Sequence, residues 1–186
     1  MDIDYQKFER DALSLLEDYG FVEFPIDVFA LAKKAFNVKF IKFSSLSQED
    51  IEKLKNEYNI SDGFTFIDYD SNERIIYYDD KVTYARQRFT IAHEIKHLFY
   101  NERISSEKCE KEADYFAKCL LASKCLIIKY NMKSENEIAT NFELSLEASE
   151  YHLRGINNRR KRYGCLLETY EKEFLANNKV ILKKIE

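Results

Sequence analysis

The chain has 186 residues, 45% hydrophobic and 15% aromatic, which suits one ordinary core plus a small appendage. A formal net charge of −4 and a pI near 5.6 exclude a general attraction to nucleic acid or anionic membrane, so any such contact must be local. The opening MDIDYQKFERDALSLLEDYG has no cationic start before an apolar block, and no span approaches the roughly 20 apolar residues of a membrane helix, so a cytoplasmic protein is expected.

One proline and four glycines leave little punctuation, and packed helices are the expectation. Phe8, Ala12, Leu15 and Leu16 share a face of a helix from Tyr5 to about Tyr19, which Gly20 is placed to stop. A second helix is expected from Pro25 or Ile26 to about Phe36. Val38 to Phe43 then reads as a strand, and Ser47 with Asp50 as the cap of a helix through Tyr58. The aromatic and β-branched runs Phe64–Ile67 and Arg74–Tyr78 flank the turn-forming Asp70-Ser71-Asn72-Glu73. With Val38–Phe43 they predict a small antiparallel sheet.

Asp79 or Asp80 is expected to cap the next helix, in which Tyr84, Arg88, Ile91, Ile95 and Leu98 recur at helical spacing down to about Tyr100. Late in this helix stands His93-Glu94-Ile95-Lys96-His97, an HExxH pattern with two of the chain's three histidines. Helix positions four apart are separated by about 6 Å along the axis and lie on nearly one face, so both imidazoles can meet one metal ion. Glu94, beside the first, can accept a proton from a water that the metal activates. A catalytic zinc needs a third protein ligand and an open position. A helix from about Cys109 to Cys125, with Ala113, Phe116, Ala117, Leu120 and Leu121 on its buried side, can return antiparallel and supply that ligand. Glu107, Glu110, Glu112 and Cys109 all qualify, and spacing does not choose among them. Cys109, Cys119, Cys125 and Cys165 contain no CxxC pair and read as free thiols.

Ser134 and Glu137 form a capping-box pattern, and Ser145 is placed to cap a second short helix after a corner of helix-turn-helix length. A basic run follows at Arg154 and Arg159-Arg160-Lys161-Arg162, then a last amphipathic helix over Leu166–Leu175. The expected division is residues 1–130 as the metal-bearing domain and 131–186 as a helical appendage. A DNA-binding regulator reading through residues 137–155 is one rival function, though Glu147 and Glu150 on its second helix would repel phosphate. A regulatory interaction protein that holds zinc without catalysis is another. His152, in that same helix, is expected to be a packing or surface residue.

RFTIAHEIKHLFY followed by EKEADYFAKCLLAS resembles the ImmA/IrrE-type metallopeptidases, whose pattern is an RxxFTxAHExxH helix and then an E-A-x-x-F-A helix ending in paired leucines. ATNFELSLEASEYHLRG is similar to the family's small helix-turn-helix-like region. The resemblance implies a mostly helical α+β, zincin-like fold with a small antiparallel sheet and a helix-turn-helix-like C-terminal region. It implies Zn²⁺ held by His93, His97 and Glu112, with Glu94 as general base. It also implies a regulatory endopeptidase whose substrate is a helix-turn-helix repressor, releasing a mobile element or stress-response genes. Two departures stand out: Lys96 where glycine often precedes the second histidine, and Ala122-Ser123 where Met-Pro usually closes the second motif. Neither touches a ligand, and both bear on the local backbone and substrate fit.

Overall fold

The computed structural model describes residues 3–58, 62–71, 73–102, 106–164 and 166–183. In chain order these form α1 (Tyr5–Asp18), β1 (Glu23–Phe24), α2 (Val28–Phe36), β2 (Lys39–Lys42), α3 (Gln48–Tyr58), β3 (Gly63–Asp68) and β4 (Glu73–Tyr78), then α4 (Tyr84–Phe99) and α5 (Glu107–Leu121). The remainder is α6 (Lys124–Lys129), α7 (Glu135–Phe142), α8 (Leu146–Tyr163), α9 (Thr169–Asn177) and β5 (Ile181–Leu182). This is the mostly helical α+β, zincin-like fold expected. Among the described residues no helix is long and apolar enough to cross a membrane.

Contacts divide the chain into one unit of Val28–Ala117 and another of Met1–Asp27 with Lys118–Glu186. That differs from the expected boundary at residue 130. The N-terminal helix belongs with the C-terminal region because α1 packs on α9 and β1 pairs in parallel with β5, Glu23 opposite Ile181. The same pairing moves the start of α2. Phe24 is fully buried as a strand residue, the Phe24–Pro25 bond is cis, and the helix begins at Val28 instead of Pro25 or Ile26.

In the 28–117 unit, a three-stranded sheet ordered β2-β4-β3 packs with α2 and α4. The β3–β4 hairpin is antiparallel as expected, Gly63 opposite Tyr78, with Phe64 stacked on Tyr77 at 4.7 Å between ring centroids. β2 instead joins β4 in parallel, Lys39 opposite Ile75, so the sheet is mixed and not antiparallel throughout. The connection from β2 runs through α3 and β3, long enough to bring β4 back in the same direction. Asp68 closes the hairpin turn by accepting the Asp70 amide at 2.9 Å and the Ser71 hydroxyl at 2.6 Å. Gly63 is required where β3 crosses α4: a Cβ there would stand 2.5 Å from Thr90 Cγ2 and 2.7 Å from the Tyr77 carbonyl oxygen. Thr83 caps α4 by accepting from the Arg86 amide, because Asp79 is held by the Lys81 amide and Asp80 by Ser44.

The other unit follows its local signals closely. Ser134 and Glu137 complete their capping box, Glu143 turns the chain at φ 51°, and Ser145 caps α8 through the Ala148 amide. α8 then runs 18 residues, beyond the short helix expected, to Gly164 at φ +67°. α9 starts at Thr169, later than the expected Leu166, where Glu168 and Glu171 form its own capping box.

Candidate metal centre

α4 turns its apolar residues Ile91, Ala92, Ile95 and Leu98 inward and leaves His93 and His97 at one face, each side chain only 14% and 13% exposed. Their Nε2 atoms approach to 3.2 Å. The Glu110 carboxylate from the first turn of α5 completes the group, its Oε2 3.0 Å from His93 Nε2 and its Oε1 3.5 Å from His97 Nε2. With zinc–ligand bonds of about 2.0–2.1 Å, the edge of a tetrahedral shell is about 3.3 Å, so these three donors suit one zinc ion and leave its fourth position open.

The other ring nitrogens are held from behind. Asp114 Oδ1 lies 2.9 Å from His93 Nδ1, and Glu102 Oε2 lies 2.7 Å from His97 Nδ1. A carboxylate at Nδ1 favours the Nδ1–H tautomer and turns the Nε2 lone pair toward the common centre. Burial by itself lowers the pKa of His93. The hydrogen bond to Asp114 and the charges of Glu94, Glu110 and Asp114 outweigh it, and the pKa is raised above its ordinary value. The centre is therefore electronegative, as a cation site must be.

Glu94 is 6% exposed, and the Thr65 hydroxyl from β3 donates to its Oε2 at 2.8 Å. Glu112, expected as the third ligand, is not brought to the histidines. Its carboxylate lies 3.7 Å from Lys96 Nζ and 3.5 Å from Lys108 Nζ. Helix geometry puts Glu110 and not Glu112 beside the histidines: residues two apart point about 200° apart, so only one of the pair can face α4. Residues four apart share a face, and Glu110 with Asp114 is such a pair. That spacing was the available signal. Asp114, Glu102 and Thr65 had no role in the sequence reading.

Cys109 groups with Glu102 and Glu112 and not with the two imidazoles and Glu110. Cys109, Cys119 and Cys125 form no disulfide, and Cys165 lies outside the described residues. Burial pushes the Cys125 thiol up to about 12, which leaves it inert. In the basic run, Arg159 donates to both Glu171 oxygens, and Arg160 reaches the Met132 carbonyl at 3.3 Å. His152 is a buried packing residue, its pKa lowered to about 4 by burial and then by Lys124 and Lys118.

A model of a peptidase family, described as the IrrE N-terminal-like domain, matches residues 61–154, just over half of the 186-residue chain. The matched span holds the hairpin and every residue of the metal centre. No curated protein matches the chain.

Proposed function

The chain belongs to the peptidase family of IrrE N-terminal-like domains, and on that premise we propose that it is a zinc-dependent endopeptidase that cuts a specific transcriptional repressor. The reading is carried by one observation: two imidazole nitrogens and the Glu110 carboxylate meet at 3.2, 3.0 and 3.5 Å. His93, His97 and Glu110 are the ligands, and Glu94 is the general base.

A bound ion would lower the pKa of a water to about 7 and polarise the scissile carbonyl. Thr65 holds Glu94 Oε2, so Oε1 is the atom that takes the proton as the water oxygen adds to the carbonyl carbon. Glu94 then gives that proton to the amide nitrogen as the C–N bond breaks. Asp114 and Glu102 keep the two rings from turning.

β3 lies at an edge of its sheet and is tied to α4 through Thr65, so an extended peptide can add as a further strand beside Glu94. The α7–α8 corner serves as a docking surface for the repressor. A DNA-reading role is disfavoured by Arg159, which is committed to Glu171, and by the exposed Glu147 and Glu150 on α8. The cytoplasm, where such repressors act, is the compartment this function requires.

The decisive experiment incubates zinc-loaded wild type and Glu94→Gln with helix-turn-helix repressors encoded by neighbouring genes, and maps fragments by mass. A defined cut by wild type alone is expected. Equal cutting by Glu94→Gln would remove Glu94 from the mechanism, and a repressor bound but never cut would make the protein an interaction module.

A further inference from the structure

Lys96 stands between the two histidines of α4, yet it is fully buried. Its ammonium donates to Glu102 Oε1 at 2.6 Å, to Glu102 Oε2 at 2.8 Å and to the Cys109 carbonyl of α5 at 3.2 Å. A lysine has three N–H donors, and all three are used. The Glu102 oxygen at 2.8 Å is the same atom that holds His97 Nδ1 at 2.7 Å. Lys96, Glu102 and His97 therefore form one continuous chain of contacts.

The two histidines differ in how their supporting carboxylates are fixed. Asp114, behind His93, sits within α5, and the helix backbone sets its position. Glu102, behind His97, lies beyond the end of α4 in the connection to α5. A carboxylate there is strongly hydrated when left alone, and turning it inward needs a positive charge opposite. Lys96 is that charge. Glu102, Cys109 and Glu112 also bring their ligand atoms within 4.8 Å of one another. The Lys96 ammonium meets the negative charge that this cluster would otherwise present to an ion.

We propose that Lys96 is a positioning residue of the metal centre. Its ammonium clamps Glu102 in the orientation that fixes His97, and its bond to Cys109 fixes the turn of α5 that carries Glu110. This rests on the reading of His97 and Glu110 as ligands.

The test titrates the metal-free full chain with zinc against a chromophoric chelator, for wild type, Lys96→Met, Glu102→Gln and the double variant, and records the visible spectrum with Co²⁺. Each single substitution is expected to weaken zinc binding about 10- to 100-fold and to shift the Co²⁺ bands. The double variant should be no weaker than the worse single one, because both break the same chain. Thermal unfolding without metal is followed in parallel. A lowered Tm with unchanged zinc affinity and Co²⁺ spectrum would overturn the proposal and leave Lys96 a structural pin. Multiplying losses in the double variant would overturn the route through Glu102. Should Lys96→Met fail to fold, unchanged zinc affinity in Glu102→Gln would overturn it equally. The underlying reading fails separately, by full zinc retention in His97→Ala.

Discussion

The two units bury charge in opposite ways. Where α8 and α9 meet, Arg159 forms two bonds to Glu171, at 2.8 and 2.6 Å, and Glu171 is 2% exposed. Beside them Lys124 pairs with Glu9, which also accepts from the Tyr170 hydroxyl. Burial and then Glu9 raise the pKa of Tyr170, so that hydroxyl remains a donor. Each cation there has its anion. Around His93 and His97, by contrast, Glu94, Glu102, Glu110 and Asp114 gather, and among the described residues Lys96 sets a buried ammonium beside them. The first arrangement leaves no charge unmatched, whereas carboxylates gathered around two imidazoles suit a cation.

The comparison breaks first at the metal. Glu110→Ala should leave the purified protein without zinc and Glu112→Ala should keep it stoichiometric, by elemental analysis; the reverse would reassign the third ligand. Glu94→Gln should keep zinc while cleavage falls by at least about 10²- to 10⁴-fold. In the matched set the expected effect is on stability alone. Glu171→Ala strands the Arg159 guanidinium and should cost about 3–5 kcal/mol in urea unfolding, with zinc content unchanged. Loss of zinc in that variant would show that the two sets are not independent.

A smaller effect comes from pH. The His152 pKa is about 4 in the fold against 6.5 for the unperturbed side chain, so the unfolded chain takes up the proton first. Its contribution is fully present above pH 6.5 and declines as pH falls to about 4, by on the order of 3 kcal/mol. His152→Phe should flatten that part of the urea-midpoint profile. Smallest is the α7 cap: Ser134→Ala should cost about 1 kcal/mol and leave the metal untouched.

What the sequence disclosed was what neighbours in the chain decide. The HExxH spacing, the Ser134 capping box, the Ser145 cap and the β3–β4 hairpin are all local, and each stands where expected. What escaped depends on distant partners. Asp80 looks like a helix cap, but Ser44 takes its carboxylate, and Thr83 caps α4 in its place. The direction of β2 depends on how β4 returns, and β1 acquires its strand character from a partner at residue 181. Lys96 is in sequence only a departure from the family's glycine, and its role depends on Glu102 and Cys109 being brought around it. The resemblance points to Glu112, beside Ala113, whereas the i, i+4 relation of Glu110 to Asp114 marks the face of α5 that lies against the histidines.

The discontinuity of one unit has a consequence for assembly on the ribosome. Residues 28–117 are contiguous, whereas the unit formed by residues 1–27 and 118–186 joins segments on either side of them. As the polypeptide emerges, α4 and the first turns of α5 appear together with every donor of the metal centre, while α1 still lacks α9 and Glu23 still lacks Ile181. Contiguous units complete their contacts earlier during synthesis. The residues of the candidate metal centre are thus translated before α9 and β5, the partners that α1 and β1 await.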